Sequence, residues 1–210
     1  MEGVTGMYVG EIAAGGALNP EKHFYEEVIV ILEGQGATEI WQDGGKKQLF
    51  EWGPWSLFAP PLNTWHRLIN GSNTPVKYLS VSNAPLVMDI VHNEDFIFNC
   101  PYNFADRYAA ADGYFNQGLK RYEAGMQHIW ETNFISDIQT ANVDSREVKG
   151  AGVGITEFEI AGNSLIGHLA TWPAARYHKA HYHGAGAILL GLQSSGYVLL
   201  WSKESGTHPF

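Results

Sequence analysis

One cysteine, Cys100, stands in 210 residues, so no disulfide forms within the chain and nothing points to an oxidising compartment. Positive charge is also scarce: 13 Lys and Arg against 22 Asp and Glu give a formal net charge of -9. A nucleic-acid backbone or an anionic membrane surface needs concentrated positive charge, so neither is expected as a partner. Long apolar runs are missing. The most apolar stretch, Ala185 to Trp201, is broken by Gln193, Ser194 and Ser195, which argues against a membrane-spanning helix. The acidic start Met1-Glu2-Gly3 lacks the basic n-region of a secretory leader. Gly-rich phosphate loops, paired cysteines at zinc spacing and a supported Ser/His/Asp arrangement are absent as well. With 45% hydrophobic and 17% charged residues, the expectation is a soluble, cytoplasmic globular protein.

What the chain does have is glycine, 24 residues, and aromatics, with 7 Trp and 10 Tyr. Short β-branched and aromatic runs separated by Gly, Pro, Asn and Asp predict an all-β fold, a sandwich or barrel. The predicted strands are Met7–Ala13, Lys22–Leu32, Ala37–Gln42, Gln48–Glu51, Ser56–Ala59, Thr64–Ile69 and Val76–Ser82. Asp43-Gly44-Gly45 and Asn70-Gly71 carry hairpin-turn chemistry, and Ala59-Pro60-Pro61 ends a strand because proline donates no ladder hydrogen bond. No long 3.6-residue period interrupts this first part, so a helical domain is not expected in the first 90 residues. From about His92 to Gly150 the sequence turns polar and irregular; Asn103–Ala111 suits a short helix and Gly118–Glu123 a loop. A bare loop of that length is improbable inside a domain, so some order is expected. Strand character returns at Gly154–Ile160, Ser164–Trp172 and Ala187–Trp201.

The late strands repeat the early ones. A shift of 160 residues places Glu21 on His181, His23 on His183, Leu32 on Leu192, Gly36 on Gly196 and Trp41 on Trp201. The expected organisation is therefore residues 1–90 as an N-terminal β-barrel, 91–150 as a connecting segment, and 151–210 as a partial second barrel lacking its last strands. At about 150 residues per domain the length suits that division.

On a strand through residues 21–31, Glu21, His23, Tyr25, Glu27, Ile29 and Ile31 would share one face. Two carboxylates and an imidazole ahead of two isoleucines read as a polar mouth on an apolar interior. Such groups are costly to bury unless a divalent ion or mutual hydrogen bonds compensate. Downstream, His66 follows the Pro60-Pro61 turn at the start of a strand, in position to face the same interior.

These residues resemble the two motifs of the cupin superfamily. Gly15, Glu21, His23, Glu27 and Gly34 fall at the spacings of the first motif, with Glu21 where the family has its first histidine. Pro61, His66 and Asn70 fall at those of the second, with Trp55 and Asn63 at its two glycine positions. The resemblance covers residues 5–85 closely and 150–210 through the repeat. It implies an RmlC-like jelly-roll (cupin) barrel followed by a partial second one, in the manner of two-cupin (bicupin) dioxygenases and decarboxylases. It also implies a metal held by His23, Glu27 and His66, with Glu21 as a possible fourth ligand. Two histidines and one carboxylate favour Fe(II) with positions open for substrate and oxygen, and Glu21 makes Mn(II) competitive. Tyr25, near that metal, is the candidate acid or hydrogen-bond donor to substrate.

In the repeat, His178, His181 and His183 cluster, and His181 with His183 form a second, weaker candidate metal site. The glutamate position there holds Ala187, and the counterpart of His66 would fall beyond Phe210. The chain thus resembles a fragment of a longer two-cupin protein, and unpaired strand edges predict a homo-oligomer, in the first instance a homodimer. The function expected is a metal-dependent enzyme, dioxygenase-like, on a small organic substrate. A lyase, decarboxylase or isomerase on the same ligands is the nearest alternative reaction. A non-catalytic cupin that captures a small acid or sugar is the alternative class, and a storage barrel without metal the third.

Overall fold

The computed structural model describes residues 3–116, 118, 120–124, 127–143, 150–181 and 186–202. The first part is built from β1 (Gly6–Ile12), β2 (Glu27–Glu33), β3 (Gly36–Trp41), β4 (Gln48–Trp52), β5 (Leu57–Phe58), β6 (Trp65–Ile69) and β7 (Val76–Ser82). Two short helices follow, α1 (Ala84–Val91) and α2 (Glu94–Asn99). After them come β8 (Lys120–Ala124), β9 (Gln127–Thr132), β10 (Phe134–Ile135), β11 (Gly154–Ile160) and β12 (Gly167–Thr171). Among the described residues no helix is long and apolar enough to cross a membrane.

The strands form three sheets in the orders β1-β7-β2-β5-β10, β4-β3-β6 and β12-β11-β9-β8. All pairs are antiparallel except β9 with β11. The five-stranded sheet lies in the middle. On one face Ile29, Ile31, Phe58, Val76 and Tyr78 meet Ile40, Phe50, Trp52 and Leu68 of the β4-β3-β6 sheet, which makes the jelly-roll interior. On the other, Val28, Val30, Leu57 and Leu79 meet Trp130, Phe158, Ile160 and Leu169 of the β8–β12 sheet. A strand buried on both faces reads as an unbroken apolar run, and Val28-Ile29-Val30-Ile31 is one. Each of these side chains contributes about 1.5–3 kcal/mol by leaving water, so β2 is the keel of the fold.

The motif glycines have a backbone reason. Gly34 sits at φ +88°, and a Cβ there would lie 2.7 Å from Val76 Cγ2. Trp55 and Asn63, which stand at glycine positions of the second motif, adopt φ +65° and +58°. Both keep the left-handed turn that glycine would make freely, at a cost of about 1–3 kcal/mol each. Asn63 recovers part of it: its Nδ2 donates to Cys100 O (3.0 Å) and Tyr102 O (2.8 Å).

The sequence-derived strands match closely up to Ser82, with one exception. The strand expected at Lys22–Leu32 begins only at Glu27. Residues 21–26 make a single bridge, Glu21 to His66, and then a bend, because Phe24 N donates to Ile97 O at 2.7 Å and Phe24 packs on Phe96 and Phe104. The face shared by Glu21, His23, Tyr25 and Glu27 is therefore not that of a regular strand. The helices were not foreseen. Helix α1 buries no residue, so its apolar side chains leave no core-facing pattern, whereas α2 carries a legible start, Asn93 capping Phe96 N at 2.9 Å ahead of Glu94 and Asp95. Residues 103–111 hold a turn over 105–107 and no helix. The expected loop at Gly118–Glu123 overlaps β8 from Lys120 onward, which is paired with β9.

Gly154–Ile160 is a strand with those limits, and Ser164–Trp172 contains β12. Ala187–Trp201, expected as strand, forms none. Strand backbone needs partner groups on its flanks; β2 has β7 and β5, but no described strand flanks 186–202. Tyr197 and Leu200 are accordingly 88% and 89% exposed.

Candidate metal centre

Three side chains meet at one end of the jelly-roll interior. Glu27 opens β2, His66 lies in β6 opposite Ile40 of β3, and His23 comes from the bend before β2. All three are at least 95% buried, and one ligand atom from each lies within 4.8 Å of the others. The backbone fastens the two motifs together. Glu21 and His66 exchange both N–H···O bonds at 2.9 Å, and Asn63 N donates to His23 O at 3.2 Å.

Each imidazole is oriented by a main-chain carbonyl. His23 Nδ1 lies 2.8 Å from Tyr25 O, and His66 Nδ1 lies 3.1 Å from Thr64 O. A carbonyl accepts only, so both Nδ1 atoms carry hydrogen and a neutral ring presents a bare Nε2 lone pair. Those Nε2 atoms are buried without a hydrogen-bond partner. Both face the same oxygen: Glu27 Oε2 is 3.4 Å from His23 Nε2 and 3.6 Å from His66 Nε2. These separations are too long for good hydrogen bonds. They suit atoms that share an ion, since ligands each about 2.1 Å from one metal stand about 3–3.5 Å apart.

The other oxygen of Glu27 is anchored. Ser80 Oγ in β7 donates a short hydrogen bond to Glu27 Oε1, and Tyr8 OH in β1 reaches it at 3.4 Å. One oxygen held and one free is the posture of a single-oxygen ligand with its outer partner in place. Burial works to raise the Glu27 pKa, but the adjoining His23 and His66 outweigh it and hold the carboxyl well below the usual carboxylate range. For His66, burial works to lower the pKa, yet Glu21 and Glu27 bring it up to about 9. In the metal-free chain a proton therefore occupies the place that a metal would take on His66, and the two compete.

Of the residues singled out from the sequence, His23, Glu27 and His66 converge. Glu21 stands outside that group: its side chain is 46% exposed and its Oε1 lies 3.6 Å from His66 Nε2 at the mouth. Tyr25 stacks flat on His23, with centroids 3.7 Å apart and planes 2° from parallel, and its pKa is raised by burial and then by Glu27 and Glu21. His181 is exposed, with Nδ1 2.9 Å from Lys179 O and its ring 4.9 Å from that of His178. His183 lies outside the described residues. Sequence reasoning missed Ser80 and Tyr8. Ser80 had a slight signal, a hydroxyl between Leu79 and Val81 in a predicted strand, and it is fully buried; Tyr8 lies between exposed Met7 and Val9 and had none.

The two motifs thus supply one buried ligand set, from strands placed as a jelly roll requires. Over the first 82 residues the five-stranded and β4-β3-β6 sheets face one another in a jelly-roll arrangement, with that ligand set at one end of their shared interior. No family model matches the sequence and no curated protein does. Among solved structures, the chain is similar to an oxalate oxidase in complex with glycolate, 20% identical, over 38% of this chain and 41% of that one, with a TM-score of 0.36. It is similar to a Bacillus halodurans protein, 23% identical over 38% of this chain and 62% of that one, TM-score 0.36. A mutant of Bacillus subtilis oxalate decarboxylase is 15% identical over 39% of this chain and 22% of its own, TM-score 0.36. The chain spans less than half the length of the oxalate oxidase it matches.

Proposed function

We propose that this chain is a cupin-type, metal-dependent enzyme acting on a small organic molecule, with a divalent ion held by His23 Nε2, His66 Nε2 and Glu27 Oε2. The observation that carries the reading is the pair of buried, unpartnered Nε2 atoms facing one carboxylate oxygen. His23 Nε2 has no hydrogen-bond partner and His66 Nε2 has only a proton offset by the nearby carboxylates, and one bound cation would satisfy both atoms together with Glu27. Two histidines and one carboxylate leave positions open, which favours Fe(II), with Mn(II) next. When bound, the ion supplies Lewis acidity and a place for substrate and oxygen side by side, the basis for a dioxygenase-type reaction.

The chain's own groups do the rest. Ser80 and Tyr8 hold Glu27 so that Oε2 faces inward. Tyr25, kept protonated by burial and by Glu27 and Glu21, offers a phenolic hydrogen bond to substrate beside His23. Glu21, at the mouth and partly in water, adds a fourth oxygen within reach of an incoming ion or substrate.

The test is oxygen uptake by protein purified without air and reloaded with Fe(II) or Mn(II), against a panel of aromatic and aliphatic hydroxy acids. Metal-dependent uptake in the parent, lost in His66→Ala, is expected. Conversion of a panel compound without oxygen uptake would instead assign lyase or isomerase chemistry to the same ligands.

A further inference from the structure

Glu26 stands next to Glu27 in the chain, and its carboxylate is engaged in a separate network. The side chain is 7% exposed. Its Oε1 accepts from Arg107 Nη1 at 2.7 Å, and its Oε2 accepts from Ser164 N at 2.9 Å, from Ser164 Oγ and from Asn83 Nδ2 at 3.3 Å. The backbone is tied as well. Glu26 N donates to Asn83 Oδ1 at 2.8 Å, Asn83 N donates to Glu26 O at 3.2 Å, and Asn163 Nδ2 reaches Glu27 O at 3.4 Å. Three remote segments therefore meet at this point: the end of β7, the loop after α2, and the turn between β11 and β12.

A buried carboxylate with this many donors is strongly desolvated, and an apolar residue would fill the same space without needing partners. What the charged network adds is a fixed direction. Residues 21–26 have no ladder of their own beyond the single Glu21 bridge, and the β7 register begins only at Glu27 opposite Ser82, so the approach of the chain to Glu27 is set by the contacts of Glu26. Glu27 must enter there with one oxygen on Ser80 and the other on the two imidazoles.

We propose that Glu26 is a positioning residue for the metal centre: held by Arg107, Asn83 and Ser164, it fixes the backbone from which Glu27 reaches His23 and His66. The β11–β12 turn is then a buttress of the centre, supplied by the later part of the chain. This rests on the reading of His23, Glu27 and His66 as metal ligands.

The test titrates Mn(II) into metal-free parent, Glu26→Gln, Ser164→Ala and Glu39→Gln, following free Mn(II) by electron paramagnetic resonance below the melting temperature of each. Glu39 is the control, a carboxylate paired with Arg67 and Lys47 on the face of β3 opposite the one that buries Thr38 and Ile40, with no contact to Glu26. A purely structural role for Glu26 lowers the melting temperature but leaves the affinity of the folded protein unchanged. Positioning weakens Mn(II) binding about ten- to a hundred-fold in Glu26→Gln and about ten-fold in Ser164→Ala, the range for outer partners of metal ligands. Glu39→Gln stays at the parent value. If Glu26→Gln does not fold, Ser164→Ala decides. Parent-like affinity in the folded Glu26 variant, or equal weakening in Glu39→Gln, overturns the proposal alone. A parent that binds no Mn(II) overturns the metal reading and this inference with it.

Discussion

Glu21–Trp41 and His181–Trp201 carry matching features in the same order, yet they differ in what surrounds them. In the first, His23 and Glu27 are buried, and β2 lies between β7 and β5. In the second, His181 is exposed, the glutamate position holds Ala187, and no described strand pairs with 186–202. A motif supplies candidate ligand types; the strands around it supply burial, orientation and the third member of the set. His66 and Ser80 come from β6 and β7, far along the chain from His23, whereas His181 is exposed with its ring edge-on to that of His178.

Ways to break that comparison run from large effects to small. Removing a ligand, by Glu27→Ala or His66→Ala, abolishes stoichiometric metal binding, measured by elemental analysis of gel-filtered protein. Supplying the missing carboxylate, by Ala187→Glu, leaves the stoichiometry where it was, because among the described residues no third His or carboxylate converges there; a second equivalent of metal would show that the motif alone suffices. Ser80→Ala frees Glu27 Oε1 and weakens Mn(II) binding about ten-fold, read by calorimetric titration. Asn63→Ala keeps the left-handed turn but loses the bonds to Cys100 O and Tyr102 O, and lowers unfolding free energy by about 2 kcal/mol in urea.

The acid–base chemistry sharpens the same contrast. His66 has its pKa raised from 6.5 to about 9, so the stability it lends the metal-free chain is fully present below pH 6.5 and is lost as pH rises through about 9. Melting temperatures of metal-free parent should fall over that interval more steeply than those of His66→Ala. Over the same interval metal must displace the proton, so apparent Mn(II) affinity rises with pH, about ten-fold per unit below the His66 pKa. A flat affinity between pH 6.5 and 8.5 would contradict a shared place for proton and metal.

The early strands were legible because each alternates or runs apolar between turn residues, and Val76–Ser82 matches to the residue. The convergence of His23, Glu27 and His66 was legible from motif spacing, although the shared strand face invoked for them is absent: His23 reaches the site from a bend, and its convergence with Glu27 depends on Phe24 docking on Ile97 and its neighbours. What was not legible depends on distant partners. Tyr8 meets Glu27 across β7, and Glu26 is fixed by residues 57 to 138 positions away. Ala187–Trp201 shows the converse, a strand-like sequence left without a ladder.

The most direct measurement is metal content per chain, by elemental mass spectrometry, of parent and His66→Ala purified without oxygen. The account predicts close to one equivalent of iron or manganese in the parent and almost none in the variant. A parent without metal, or a variant that keeps it, would contradict the centre at His23, Glu27 and His66.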